Sequence, residues 1–271
     1  MAFGATLRLL RIDAGLSLRS LAQQIGVSGA YLSRVENGHD APPTPDRLAA
    51  IARVLDLPPA LLLGLADKVD PYVIAYLEQV PAAASLFLDI SRRGLNGPQL
   101  ARVRAFVESE FPLDPARARY APLSRLLTPE RVVLRLSCTD LGDAIDVAAS
   151  RLSRHGLLLR PNQIALAVHH REKEASSALG GGVWVPHAVL PEVGPVAVLM
   201  TLEQPLMMDT PDRQPIRVVV LMISGDRGRQ WLELLAQLAR MANSDLAPAL
   251  CASSTPDVAL DVVKRWETTY V

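Results

Sequence analysis

The stretch LSLRSLAQQIGVSGAYLSRVENG, residues 16–38, decides how the front of this chain folds. Ser17 and Ser28 each stand where a hydroxyl can cap the first turn of a helix. Leu21 and Ala22 follow the first cap, and Leu32 and Val35 the second, at helical spacing. Gly26 permits a tight turn between the two helices, and Gly38 ends the second one. Ala22 is small enough for a close helix crossing, and Val27 plugs the pair. The spacing predicts two short helices at a sharp angle, the second over about 28–36.

Working outward, residues 5–65 read as five short helices. Leu7, Leu10, Leu48, Ile51 and Leu55 continue the helical period, and Gly15, Pro42-Pro43 and Pro58-Pro59 interrupt it. Residues 67–112 are also helical. Asp70-Pro71 caps and opens a first helix with the stripe Val69, Tyr72, Val73, Tyr76, Leu77, Val80; a second ends near Arg92-Arg93-Gly94, and a third runs from Pro98 to about Glu110. The segment Pro112–Pro122 has no period and reads as a linker.

From Leu123 onward the pattern alternates. Strands are expected at 132–137, 183–186, 195–203 and 216–224, and helices at 140–155, 161–172, 228–242, 245–252 and 256–267. Val-rich strands interleaved with helices argue a sheet covered on both faces. The expected architecture is multidomain. An all-α bundle occupies 1–66, a helical connector 67–122, and an α/β domain with a mixed sheet flanked by helices 123–271.

Composition limits the function classes. Lys plus Arg balance Asp plus Glu at 28 each, so the whole chain is no general polyanion binder. The two cysteines, Cys138 and Cys251, lie far apart with no metal-ligand spacing, so neither a metal nor a cofactor is expected. The apolar runs are strand length, the N-terminus has no signal-like segment, and a soluble cytoplasmic protein is expected.

The helix pair at 16–38 is a helix-turn-helix and closely resembles the lambda-repressor-like (Cro/cI-type) DNA-binding family across residues 5–65. That resemblance implies double-stranded operator DNA as a partner. The second helix would enter a major groove roughly 12 Å wide and offer Ser28, Gly29, Ala30, Tyr31, Ser33 and Arg34 to base edges. Ser17, Arg19 and Asn37 would hold phosphates, which set register. Leu18 departs from the polar residue that often stands there. Because one such module makes few contacts and the family reads two half-sites, a homodimer is expected. The apolar connector helices are a plausible dimer surface, equally compatible with packing inside one chain.

A second feature lies about 150 residues on: GGGVWVPHAV, residues 180–189, places His187 after glycines, a short strand and a proline. A phosphoryl acceptor needs an exposed neutral ring nitrogen, donors for the phosphoryl oxygens and a rigid mount. Glycine-loop N–H groups, hydroxyls or an arginine can supply the donors. With Arg171-Glu172 and Ser176-Ser177 upstream, the run resembles the phospho-acceptor motif of the enzyme IIA domain of the phosphoenolpyruvate:sugar phosphotransferase system, mannitol/fructose and nitrogen-regulatory type, across about 123–267. The resemblance implies that His187 takes a phosphoryl group from a phosphocarrier protein, with Arg171 as the stabilising cation and Ser176 and Ser177 as nearby donors. Three positions depart from the family: Trp231 replaces its second histidine, Ala175 and Ala178 stand where glycine is usual, and Trp184 replaces a small residue. His155, His169 and His170 read as helix-end residues and His39 as a loop residue.

Together these features predict a DNA-binding transcription regulator, not a turnover enzyme and not membrane-bound. Its C-terminal domain would sense phosphotransferase or metabolic status through His187. The alternative is a degenerate domain that binds a ligand or partner, or dimerises, without phosphorylation.

Overall fold

A computed structural model describes residues 2–67, 71–111, 122–155, 159–191 and 193–270. The expected linker therefore lies, apart from Pro122, outside the described residues, as does Val69 of the first connector stripe.

Five helices form the N-terminal bundle: α1 (Ala2–Asp13), α2 (Leu18–Gln24), α3 (Gly29–Glu36), α4 (Pro45–Val54) and α5 (Pro59–Leu65). Both serine caps form as the sequence predicts, Ser17 Oγ accepting from Ser20 N at 3.0 Å and Ser28 Oγ from Tyr31 N at 3.1 Å. Leu7, Leu10, Leu21, Leu32, Leu48 and Ile51 are fully buried between the helices. Gly4 lets α1 cross the end of α3: a Cβ there would stand 2.2 Å from the Val35 carbonyl oxygen. A buried ion pair, unforeseen from the sequence, fastens the same crossing. Arg11 donates from Nε and Nη2 to the Glu36 carboxylate at 2.6 and 2.8 Å, and from Nη1 to the Leu16 carbonyl.

The described residues of the connector form three helices, α6 (Pro71–Gln79), α7 (Pro81–Arg92) and α8 (Gly97–Glu110). Asn96 and Gln99 close a reciprocal capping box at the start of α8. Large apolar residues of this arm are outside: Leu86, Phe87 and Phe106 are each about 60% exposed.

The C-terminal domain holds one six-stranded mixed sheet. Its elements are β1 (Val132–Leu136), α9 (Leu141–His155), α10 (Pro161–Glu174), β2 (Ala178–Gly180), β3 (Val183–Trp184), β4 (His187–Val189), β5 (Val196–Leu206), β6 (Ile216–Ser224), α11 (Arg229–Ala242), α12 (Leu246–Cys251) and α13 (Pro256–Tyr270). The strand order is β1-β5-β6-β3-β2, with β4 also paired to β6. Strands β1 and β5 are parallel, β5 and β6 antiparallel, and β3 and β4 both run parallel to β6. Alternate residues of β6 serve the two faces, as period-2 geometry requires. Val219, Leu221 and Ile223 pack with α9 and α10, while Val218, Val220 and Met222 pack with α11 and α13. The short strands β2 and β4 were not separable in the sequence from their glycine and proline flanks.

The second of these apolar layers does not stop at the domain edge. Helices α1 and α5 lie on α11, and the buried residues of the bundle and of α11–α13 form one continuous cluster. Arg240 of α11 lies over Gly64 of α5, where a Cβ would meet its guanidinium carbon at 2.9 Å. Arg229 faces Asp56 at 3.6 Å across the same contact. Among the described residues no helix is long and apolar enough to cross a membrane.

Candidate functional site

His187 opens β4 and is locked to the sheet edge, pairing with Met222 of β6. Pro186 immediately before it has no N–H to offer, but its carbonyl accepts from Met222 N at 3.0 Å. Strand β3 therefore breaks at Val185-Pro186 and the chain re-enters the sheet at the histidine. The Val185 carbonyl lies 2.7 Å from His187 Nδ1. That acceptor fixes Nδ1 as the protonated nitrogen and turns Nε2 away from the strand, the orientation an Nε2 acceptor requires.

Arg171 comes from the last turn of α10, where the helix dipole favours a cation. Its Nη1 donates to the Ala175 carbonyl at 3.0 Å, and its Nε and Nη2 are turned to a carboxylate that His187 shares. That carboxylate comes from the other domain. Asp13, the last residue of α1, accepts from Arg171 Nε at 3.2 Å and Nη2 at 2.8 Å, and both its oxygens stand 3.0–3.1 Å from His187 Nε2. All three side chains are buried, at 1–5% exposure. The exposed imidazole expected from the sequence is thus corrected: His187 is fully buried, with Asp13 of the N-terminal bundle on Nε2 and Trp231 against the ring.

The electrostatics of the triad are one-sided. Burial raises the Asp13 carboxyl, but the charge and hydrogen bond of His187 and the Arg171 fork outweigh it and hold the group well below the usual carboxylate range. An acid depressed on folding adds stability above its unfolded value, about 3.9 for Asp, and loses it as pH falls below that. The Asp13 carboxylate is therefore ionised around neutral pH and available to the Arg171 fork.

Other expected residues are placed elsewhere. The Ser177 hydroxyl bonds to Glu172, which also accepts from Trp184 Nε1 at 3.1 Å. Glu172 thereby ties the 175–177 loop to β3, a role with no local sequence signal. The Ser176 hydroxyl accepts from Ala178 N at 3.3 Å. It lines a cleft with Arg8, Asn37 and Asp209 rather than the histidine. The glycines form the β2–β3 turn: Gly180, Gly181 and Gly182 have φ of 93°, 60° and 75°. A Cβ on Gly181 would lie 1.9 Å from the Ala242 carbonyl oxygen, and its N–H is held by Asp212 at 2.7 Å. Five residue steps of extended chain, about 16 Å, separate Gly182 from His187, so these N–H groups do not cradle anything bound there. Trp231, which the resemblance sets in place of the family's second histidine, meets the His187 ring edge-on with centroids 5.5 Å apart. A cavity of about 500 Å³ opens beside Asp13, Arg171 and His187, bordered by His170, Glu174 and Arg227.

On the reading face, Ser17, Arg19, Ser28, Ala30, Arg34 and Asn37 are exposed, and Gly29, Tyr31 and Ser33 are half-buried. Arg34 pairs with Asp40 at 3.0 Å and Arg47 lies over the Tyr31 ring at 5.3 Å. Asn37 Nδ2 donates to the Ser33 carbonyl at 2.8 Å. Leu18 sits against Gly29 and packs the turn, which accounts for an apolar residue there.

Two family models match the chain. A helix-turn-helix domain covers residues 2–63, and the phosphoenolpyruvate-dependent sugar phosphotransferase system EIIA 2 family covers residues 125–265. The nitrogen regulatory protein of Escherichia coli K12 is 28% identical over 151 residues, 54% of this chain and 92% of that protein. The HTH-type transcriptional repressor RghR of Bacillus subtilis 168 is 35% identical over 82 residues, 30% of this chain and 55% of that protein. A solved structure of the nitrogen regulatory protein IIA-Ntr from Neisseria meningitidis is 20% identical, with a TM-score of 0.46, covering 52% of this chain and 98% of that one.

Proposed function

This chain belongs to the phosphoenolpyruvate-dependent sugar phosphotransferase system EIIA 2 family and carries a helix-turn-helix domain ahead of it, and from that premise we propose that it is a transcription regulator whose His187 accepts a phosphoryl group and reports phosphotransferase status to a DNA-reading head. The three-part division at 1–66, 67–122 and 123–271 belongs to this reading. The observation that carries it is the His187–Arg171 constellation: a ring nitrogen oriented by the Val185 carbonyl, with a buried guanidinium holding an anion against it. Arg171 would neutralise the oxygens of a transferring phosphoryl group, a reaction governed by positioning and charge. Leu166, 72% exposed at the rim of the same cavity, offers an apolar anchor for a phosphocarrier protein. Trp231 has one N–H donor and no basic nitrogen, so this site depends on Arg171 where the family has a second imidazole.

The test is incubation of the full chain with phosphoenolpyruvate, the first enzyme of the system and its phosphocarrier protein. An acid-labile label that disappears in His187→Ala supports the reading. No label on the wild-type chain supports the alternative, a domain that binds or docks without chemistry.

A homodimer is part of the proposal, with the connector arm as the contact. Helices of 12–14 residues are marginal alone, yet α7 and α8 leave Leu86, Phe87, Val103, Phe106 and Val107 exposed. A second copy of the arm would cover this face and set two reading helices about 34 Å apart, one DNA turn. Phe87→Glu with Phe106→Glu is expected to convert a dimer to a monomer in sedimentation equilibrium. A wild-type chain that is monomeric at every concentration would remove the dimer from the account.

A further inference from the structure

We propose that Asp13 is the resident ligand of the phosphoryl site: its carboxylate fills the place of a phosphoryl group on Nε2, so the reading head docks on the C-terminal domain while His187 is free and is released when His187 is phosphorylated. The inference rests on the acceptor reading above and names the device that couples it to DNA.

Three observations meet at this point. First, the carboxylate takes the bonds a phosphoryl group needs, two from the Arg171 fork and one from Nε2. Second, Asp13 comes from the DNA-reading domain, and it ends α1, the end of a helix that disfavours an acid. Buried carboxylates persist when fully partnered, and both partners of this one lie more than 150 residues away, on α10 and β4. Third, α11, the helix on which the head lies, is not finished as a permanent core. Trp231 Nε1, Glu233 Oε2 and both amide atoms of Gln237 are buried with no hydrogen-bond partner among the described residues. Permanent interiors rarely leave such atoms unpaired, whereas a face uncovered part of the time has water for them.

The transfer step follows from this arrangement. Asp13 withdraws and Nε2 gives up its proton to solvent. The Nε2 lone pair then attacks the phosphorus of the phosphocarrier's phosphohistidine. The donor N–P bond breaks with its electron pair returning to the donor ring, and a new N–P bond forms at His187. The new phosphoryl oxygens occupy the volume of the Asp13 carboxylate and carry like charge, so α1 cannot return. Arg171 keeps an anionic partner throughout.

The experiment compares the full chain with Asp13→Asn, which retains shape and removes charge, and with Asp13→Ala. Two readouts are taken. Label incorporation at His187 from the phosphorylated phosphocarrier is expected to be at least tenfold faster in both variants. Without any donor, inorganic phosphate followed by titration calorimetry is expected to bind at least tenfold tighter to both. Label at the wild-type rate, or unchanged phosphate affinity, overturns the inference. If neither wild type nor variants take label while the variants gain phosphate affinity, Asp13 does occupy the anion site, but the acceptor reading fails and release by phosphorylation fails with it. If all take label at one rate, the acceptor reading stands and this inference fails. Small-angle scattering needs no substitution: phosphorylation is expected to enlarge the wild-type radius of gyration, and an unchanged radius contradicts release.

Discussion

Arg11→Ala is expected to destabilise the chain by about 3–5 kcal/mol, the range seen when one partner of a buried ion pair is removed. Arg11 is 7% and Glu36 5% exposed, and the guanidinium holds both carboxylate oxygens. Removing it leaves a charge buried at the base of α3, beside the close approach that Gly4 permits. The Leu16 carbonyl, which enters the turn toward α2, loses its donor as well. Denaturant unfolding followed by helical circular dichroism measures the loss. The double variant Arg11→Met with Glu36→Leu is expected to recover most of it, because a well-packed apolar pair carries no desolvation cost. A double variant as unstable as the single one would show that packing, and not the stranded carboxylate, sets the penalty.

Much of this molecule is legible in its sequence because its helices and long strands obey local rules. Ser17 and Ser28 cap where their positions predict, and Leu21, Leu32 and Val35 bury at helical spacing. Strands β5 and β6 show as Val-rich runs because both faces are covered. The family motif singled out Arg171 and His187, and both side chains contact the same carboxylate, Asp13. The mixed α/β architecture behind an all-α head followed from the change of period near residue 123.

What the sequence withheld was long-range and electrostatic. Asp13 meets Arg171 and His187 across 158 and 174 residues, a separation no hydrophobic period can report. A local trace of it was there: an acid on the last turn of α1, at the wrong end for the helix dipole. Such a broken local rule is where function tends to lie. The glycines misled in the opposite direction. Gly180–Gly182 drew attention as phosphate donors, but their positive φ values and the wall formed by Ala242 make them a hairpin turn. Likewise Ser177, near in sequence to the site, spends its hydroxyl on Glu172.

The largest functional effect expected is on DNA affinity. In the docked arrangement Asn37, at the end of the reading helix, shares a cleft with Asp209, Thr210 and Pro211 of the C-terminal domain. A DNA phosphate approaching Asn37 would meet that loop and its carboxylate. Release of the head removes both obstacles, so phosphorylation is expected to strengthen binding. A tenfold gain needs a difference of only about 1.4 kcal/mol between the two states, well within reach of an interface anchored by a buried, doubly hydrogen-bonded carboxylate. The most direct measurement is the affinity of the full chain for its operator, at one fixed salt concentration, before and after stoichiometric phosphorylation by the phosphocarrier. The phosphorylated chain is expected to bind at least tenfold more tightly, with His187→Ala insensitive to the donor system. Equal affinity of the two forms would contradict the coupling of the phosphoryl site to the reading head.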